Sequence, residues 1–234
     1  MALPSTRFVL LDLDGTLVDS VEPMRRWARA LCARYELPPG GAEWIIGQWD
    51  SYATWQSFVG AAAEHLGYPE AAMEWTDHLL EHYPREFVLE PAAAERLAAL
   101  RAAGWKLGIV TNGGTSMQAA KINQVRLHDY VDVVCISEAE GVRKPDRAIF
   151  ARAAEKLGVE LGPRGWMVGD TLGADISGGI AAGLRTIWLP DDADLADAAA
   201  DGGPGPGGPS GPGPQPEHVC GSIVAALDLI LGSA

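Results

Sequence analysis

The sequence predicts an α/β fold, with an open, doubly wound parallel sheet, helices on both faces and a separate helical segment inserted near its start. Three observations support this: short continuous apolar runs, helical patterns between them, and one connection too long for a simple crossover. Continuous apolar runs are typical of parallel strands that are buried on both faces. Five such runs occur, at residues 8–11, 107–110, 131–136, 166–168 and 186–189.

Helical patterns fill the spaces between the later apolar runs, as strand–helix alternation requires. Gly104, Gly158 and Gly183 follow three of these patterns, where a glycine often ends a helix. A last short apolar helix is expected at residues 223–231, docked back on the core. The other predicted core helices cover residues 92–103, 116–125, 146–157 and 174–182.

The connection after the first strand is longer than a simple crossover needs, because the next strand starts only near Lys106. It contains helical patterns, so we expect residues 20–90 to form an inserted helical domain, with residues 1–19 and 91–234 forming the core. Packing explains its aromatic residues better than ligand binding, although a role in a cleft stays open for some of them. Five of the eight tryptophans lie here: Trp27, Trp44, Trp49, Trp55 and Trp75.

Residues 202–216 contain seven glycines and six prolines, which explains much of the chain's total of 28 Gly and 16 Pro. A segment without apolar or charged side chains cannot offset its folding entropy, so we expect a disordered loop within the core domain. An acidic run precedes it, formed by Asp191, Asp192, Asp194, Asp197 and Asp201.

The composition excludes several classes of protein. A formal charge of −13 over 234 residues argues against a nucleic acid polymer or an anionic membrane as partner, since both need a basic face. The three cysteines give neither a disulfide framework nor a zinc pattern. No apolar run is long enough to span a bilayer, and Asp12 comes too early for a signal peptide, so we expect a cytoplasmic protein.

Acidic side chains follow two of the predicted strands. Asp12 and Asp14 come directly after the first buried strand, whereas Asp192 and Asp194, at the same spacing, lie in the acidic run. If Asp170, after the fourth strand, joins the first pair, the carboxylates repel by roughly 4 kcal/mol per pair at 4 Å and an effective dielectric of 20. Such crowding requires a cation, and oxygen ligands without His or Cys favour Mg2+ or Mn2+.

Further polar residues follow the second and third strands. Thr111, Asn112 and Gly113 precede a helix N-terminus, which favours a bound phosphate, although these residues alone are also compatible with a simple turn. Lys144 lies at the start of a helix, where a cation opposes the dipole, so either an anion compensates it or the side chain is exposed. Asp175 is either a first-turn helix acid or a group that orients the metal ligands and Lys144.

These residues together resemble the haloacid dehalogenase-like (HAD) superfamily, and specifically its phosphatases with a helical cap inserted after the first motif. The resemblance covers nearly the whole chain apart from the Gly/Pro tract, and implies a Rossmann-like doubly wound core with residues 20–90 as the cap. The family's four motifs occur in order as Asp12-Leu13-Asp14-Gly15-Thr16, Thr111-Asn112-Gly113, Lys144-Pro145-Asp146, and Gly169-Asp170 through Asp175.

The resemblance implies a phosphatase that acts on a small phosphorylated metabolite through an aspartyl-phosphate. Asp12 would be the nucleophile and Asp14 the general acid and base, while the cap would exclude water and read the leaving group. The remaining implied roles are metal binding by Asp12, Asp14 (through its backbone carbonyl) and Asp170, phosphate binding by Thr111, Asn112, Gly113 and Lys144, and support by Asp175.

Alternatives remain at this stage. A phosphomutase uses the same motifs, and a binding module without catalysis would keep the site but not turn over. The dehalogenases that named the superfamily need no proton for a leaving halide and lack the second aspartate and the metal, so Asp14 argues against that chemistry. Whether the protein is a monomer or a homodimer stays open.

Overall fold

The computed structural model of the chain describes residues 6–49, 51–52, 54–191 and 214–233. The Gly/Pro tract predicted at residues 202–216 lies outside these ranges except for its last three residues, as does the acidic run after Asp191. None of the helices within the described ranges combines the length and apolar character needed to cross a bilayer.

A six-stranded parallel sheet forms the core, in the order β3-β2-β1-β4-β5-β6. This arrangement confirms the predicted α/β fold, and the five predicted strands agree with the observed ones to within one or two residues at each end. The sixth was not predicted. The strands are β1 (Phe8–Leu11), β2 (Lys106–Thr111), β3 (Val133–Ile136), β4 (Gly165–Gly169), β5 (Arg185–Trp188) and β6 (His218–Val219).

The helices follow the predicted pattern with two additions and one change. Helices α2 and α7 were not predicted, and the helix expected at residues 174–182 is a π-helical turn, Leu172–Ile176, followed by α9. The helices are α1 (Val21–Arg34), α2 (Gly41–Gln48), α3 (Trp55–His65), α4 (Ala72–His82), α5 (Pro91–Ala102), α6 (Thr115–Gln124), α7 (Ser137–Glu140), α8 (Arg147–Leu157), α9 (Ser177–Ala181) and α10 (Ile223–Gly232).

The described residues divide into two compact units. The first comprises Met1–Val18, Leu89–Gln118 and Arg126–Ala234 and contains the sheet; Phe8, Leu10 and Phe150 are fully buried in its core. The second comprises Asp19–Val88 and Ala119–Val125, so it also takes the C-terminal part of α6.

The second unit has an aromatic core of its own. Trp27 and Trp75 are buried within it, as the packing interpretation expects, whereas Trp44, Trp49 and Trp55 are only partly buried. The rings of Trp49 and Trp55 are nearly parallel, with centroids 6.2 Å apart.

Candidate active site

The site lies where the strand order reverses, at the carboxyl ends of β1 and β4. The chain after β1 leads to β2 on one side and the chain after β4 leads to β5 on the other, and this divergence opens a crevice beyond the strand ends. The backbone N–H of Asp12 donates to the carbonyl of Val168 at 2.9 Å, so the first residue after β1 stays in register with β4. Asp170 follows β4 directly, and its backbone carbonyl accepts a 2.6 Å hydrogen bond from Nε1 of Trp188.

A tight turn at Gly15 brings Asp170 close to the first motif. Gly15 has a φ of +73°, and a Cβ there would lie 2.2 Å from Oδ2 of Asp170. Glycine is therefore required twice over, by the backbone conformation and by the close approach of a carboxylate. The turn is held by a hydrogen bond from the N–H of Gly15 to the carbonyl of Val18 at 2.9 Å.

Lys144 is buried between two carboxylates. Its Nζ lies 2.5 Å from Oδ1 of Asp12 and 2.6 Å from Oδ1 of Asp175. The Asn112 side chain holds the Lys144 backbone on both sides: Nδ2 donates to the carbonyl at 3.1 Å, and Oδ1 accepts from the N–H at 2.9 Å. The predicted compensating anions are therefore the carboxylates of Asp12 and Asp175, and Lys144 is not an exposed surface lysine.

Burial and charge act in opposite directions on these groups. Burial raises the pKa of Asp12 to about 8; Lys144 opposes this, while Asp175 and Asp170 add to it. Burial and the neighbouring Asp175 raise the pKa of Asp170 to about 6. Burial also disfavours the ammonium of Lys144, but Asp12 and Asp175 outweigh it and raise its pKa above the ordinary value. A further positive charge close by would favour the ionised forms of Asp12 and Asp170.

Asp175 is the third acid of this cluster. It lies on the π-helical turn, where its Oδ2 accepts from the N–H of Thr171 at 3.0 Å. Gly169 makes room for it, because a Cβ at that position would lie 2.3 Å from Cγ of Asp175. Of the two predicted roles, one that orients Lys144 and the neighbouring carboxylates fits these contacts better than that of a first-turn helix acid.

The cluster fits a divalent cation. Carboxylate oxygens of Asp12, Asp170 and Asp175 all lie within 4.8 Å of one another. Three ionised carboxylates together with the ammonium of Lys144 carry a formal charge of −2. The donor set is all oxygen, as Mg2+ prefers. Asp12 and Asp170, two of the predicted metal ligands, are thus brought together.

Asp14 is held differently. Its Oδ2 accepts a 2.7 Å hydrogen bond from Nε2 of Gln118, and the same nitrogen lies 2.7 Å from Oγ1 of Thr111. The two carboxylates of the first motif therefore differ in the contacts described here: Asp12 pairs with Lys144, and Asp14 accepts from an uncharged amide. The sequence analysis missed Gln118, because a lone glutamine in a helix carries no signal until its partners are known.

The predicted phosphate-binding segment is already hydrogen-bonded within the protein at two of its N–H groups. The N–H of Gly113 donates to Oγ of Ser137 at 3.0 Å, and the N–H of Thr115 donates to Oε2 of Glu138 at 2.7 Å. Helix α7, which carries both acceptors, was not predicted. The phosphate-binding roles of Thr111, Asn112 and Gly113 stay predictions.

Residues 6–183 match the model of the haloacid dehalogenase-like hydrolase family. The chain belongs to this family. The match covers the first motif and the strand-end residues described above, so the HAD-like resemblance seen in the sequence is confirmed.

Curated relatives of this HAD-like chain carry phosphatase names. A pyrimidine 5'-nucleotidase of Escherichia coli is 46% identical over 99 residues, which cover 42% of this chain and 44% of that protein. A ribulose-1,5-bisphosphate 5-phosphatase of Halopiger xanaduensis is 36% identical over 150 residues, covering 63% of this chain and 62% of the relative. The chain thus spans less than two thirds of the length of these relatives.

Solved HAD structures share the whole fold. The L-2-haloacid dehalogenase of Xanthobacter autotrophicus, with chloropropionic acid covalently bound, superposes with a TM-score of 0.71 at 24% identity and covers 98% of this chain and 100% of the dehalogenase. At that identity the likeness establishes the HAD fold and leaves the reaction to be argued from the residues.

Proposed function

We propose that this HAD-like hydrolase is a Mg2+-dependent phosphatase that releases inorganic phosphate from a small phosphorylated metabolite through an aspartyl-phosphate. The observation that carries the proposal is the contrast between the two carboxylates of one motif. Asp12 contacts Lys144 inside the acidic cluster, while Asp14 contacts Gln118. Two carboxyl groups in different surroundings are what a nucleophile and a separate proton donor require.

Asp12 is the nucleophile in this proposal. The ion pair with Lys144 orients its carboxylate and stabilises its charged form. Lys144 also offers positive charge for the phosphoryl oxygens as charge builds on them. Asn112 contributes by fixing the Lys144 backbone, in addition to the phosphate contact predicted for it.

Asp14 protonates the leaving oxygen and then deprotonates the water that attacks the aspartyl-phosphate. Asp12, the backbone carbonyl of Asp14, and Asp170 would hold Mg2+, with Asp175 close to them. When bound, Mg2+ supplies positive charge that offsets the repulsion between Asp12 and an anionic phosphate.

The nature of the substrate follows from charge and from the second compact unit. A protein with a formal charge of −13 is a poor match for a nucleic acid polymer or an anionic membrane, which supports a small metabolite as substrate.

We assign residues 20–90 the role of a cap that selects the leaving group, because the corresponding unit has its own aromatic core. We also place the protein in the cytoplasm.

The test is release of phosphate from p-nitrophenyl phosphate with and without Mg2+. Wild type should turn over only with Mg2+, and Asp12→Asn should lose at least about 10³-fold, because the nucleophile is removed while the size of the side chain is kept. Asp228→Asn is the matched control, since Asp228 is exposed and pairs with Arg96 on the surface.

Metal-independent turnover, or an Asp12→Asn variant as active as Asp228→Asn, would contradict the mechanism. A panel of phosphorylated metabolites then identifies the preferred leaving group. A net conversion of one sugar phosphate into another, without phosphate release, would instead identify a phosphomutase.

A further inference from the structure

The side chain of Gln118 connects two of the four motifs. It lies on α6 and is only 3% exposed. Its Nε2 is 2.7 Å from Oδ2 of Asp14 and 2.7 Å from Oγ1 of Thr111. The side chain is also confined, because a Cβ at Gly113 would lie 2.9 Å from its Cγ.

The chemistry of an amide determines what these two contacts can do. The NH2 group has two hydrogens and no acceptor capacity, so both Asp14 Oδ2 and Thr111 Oγ1 must accept. Acceptance of this hydrogen bond at Oδ2 favours the acidic proton on the other oxygen, Oδ1, because an unprotonated carboxyl oxygen is the better acceptor. Since the amide is uncharged, the hydrogen bond from Gln118 adds no charge of its own beside the Asp14 carboxyl group.

We infer that Gln118 is a positioning residue for the acid–base work of Asp14, an inference that rests on the proposed phosphatase function. In the first step an oxygen of Asp12 bonds to phosphorus, the bond to the leaving oxygen breaks with its electron pair, and the proton on Asp14 Oδ1 passes to that oxygen. In the second step water bonds to phosphorus, gives one proton to Asp14, and the bond from phosphorus to Asp12 breaks. Gln118 holds the same carboxyl group in place through both steps.

This role differs in a measurable way from two simpler ones. If Gln118 served only to orient Thr111 for phosphate binding, its loss would lower kcat/KM by the same factor for all phosphate esters. If it served only to pack α6, its loss would lower stability and leave the relative rates of different esters unchanged. If Gln118 positions Asp14, the loss of kcat/KM should instead be larger for esters whose leaving group depends more strongly on receiving a proton.

The experiment measures kcat/KM for phenyl phosphate and 2,4-dinitrophenyl phosphate, two esters of similar shape. Phenoxide is strongly basic and needs a proton, whereas dinitrophenoxide leaves without one. The parameter kcat/KM includes only the steps up to and including the first irreversible one. It therefore reports transfer of the phosphoryl group to Asp12 and not the later hydrolysis of the aspartyl-phosphate. Gln118→Met, which keeps the length of the side chain but donates no hydrogen bond, should lose about 10- to 100-fold for phenyl phosphate and less than about 3-fold for dinitrophenyl phosphate.

Gln124→Met is the matched control, since Gln124 lies on the same helix, is exposed, and donates only to the backbone carbonyl of Arg85 among the hydrogen bonds described for it. It should keep the wild-type ratio of the two esters. In an Asp14→Asn background, Gln118→Met should cause little additional loss, because residues that act as a unit are not additive.

Equal losses for both esters, or full additivity with Asp14→Asn, would overturn the inference while leaving the phosphatase proposal intact. A wild-type protein without turnover would overturn the phosphatase proposal and this inference with it. Thermal unfolding shows whether Gln118→Met is folded. If it is not, Gln118→Leu takes its place, because leucine also donates no hydrogen bond and adds no charge beside Asp14, and it should shift the ratio in the same direction.

Discussion

Lys144 shows how much a single side chain contributes in this site. Its ammonium group contacts Asp12 and Asp175, and all three side chains are buried. Removing one partner of a buried ion pair typically costs about 3–5 kcal/mol, because the charge left behind is uncompensated. This is a large fraction of the roughly 5–15 kcal/mol by which a typical domain is stable. The residue that would stabilise the transferring phosphoryl group is thus also one on which folding of the site depends.

A prediction at this scale concerns Gly15. Gly15→Ala and Gly40→Ala both place a Cβ at a positive φ, of +73° and +86°, and each should lose roughly 1–2 kcal/mol of stability for that reason. Gly15→Ala should in addition abolish most turnover, because its Cβ would displace the Asp170 carboxylate. The Cβ of Gly40→Ala would have no heavy atom of the described residues within 4 Å beyond its own chain neighbours, so this variant should keep wild-type turnover. Thermal unfolding and phosphate release measure the two effects separately; equal activity of both variants would contradict the expectation.

The site could be predicted from the sequence only where position carries information. Asp12 and Asp170 directly follow buried strands, Lys144 precedes the helix that comes after β3, and the ends of parallel strands meet at one edge of a sheet. Gln118 and Glu138 carry no such signal, because a polar residue in a helix is ordinary until the fold shows what it contacts. The use of the Asn112 amide to hold the Lys144 backbone, likewise, depends on a contact between residues far apart in the chain.

At the scale of elements, the last strand is held by side-chain contacts as well as by its backbone pairing. Strand β6 has only two residues, paired with β5. Arg185 of β5 contacts both carboxylate oxygens of Glu217, next to β6, and its guanidinium lies 3.7 Å from the ring centre of Trp166 on β4. The N–H of Glu217 also donates to Oγ1 of Thr186 at 3.2 Å. These contacts hold the returning chain against the sheet.

This arrangement predicts a dependence of stability on pH. The hydrogen bond and charge of Arg185 lower the pKa of Glu217 below its ordinary value of 4.5. The ionised Glu217 therefore contributes its full share to the free energy of unfolding above pH 4.5, the pKa in the unfolded chain. That share is lost as the pH falls through the lower pKa of the folded state. Glu217→Gln should cost about 0.5–1 kcal/mol near neutrality, and the difference from wild type should shrink in acid.

Thermal unfolding between pH 7 and pH 3 measures this difference. Glu95→Gln is the control, because Glu95 is largely exposed and pairs only at 3.3 Å with Arg96 among the ion pairs described for it. A Glu217→Gln variant whose deficit stays constant over this range would argue against the assigned role of the ion pair.

Elements were predictable where they are long and regular. Strands β1 to β5 and the long helices follow from apolar runs and helical periodicity. Strand β6 has two residues and α7 has four, which is too short for any periodicity to show. The π-helical turn places the Asp175 carboxylate against Gly169 and the N–H of Thr171, and helical periodicity cannot reveal such a turn.

At the scale of the whole molecule, the site predicts that Mg2+ stabilises the fold. A ligand that binds only the folded state raises the free energy of unfolding by about 2.7 kcal/mol when its concentration is a hundred times its dissociation constant. Mg2+ should therefore raise the melting temperature of wild type and of Asp228→Asn, but not of Asp170→Asn. Without Mg2+, Asp170→Asn should be at least as stable as wild type, because one of three crowded carboxylates has lost its charge. A wild-type melting temperature that Mg2+ does not change would contradict the metal site.

Helix α6 has a consequence for how this molecule can be recombined with its relatives. It belongs to both compact units, with Gln118 in the first and residues 119–125 in the second. In that second part the Nζ of Lys121, a buried residue, lies 5.4 Å from the ring centre of Tyr83 and 4.9 Å from that of Phe87. A graft of residues 19–88 from another protein would bring foreign side chains to positions 83 and 87 while leaving the native lysine behind. The portion of the gene that must be exchanged together is therefore split in two, and its smaller piece begins one residue after Gln118.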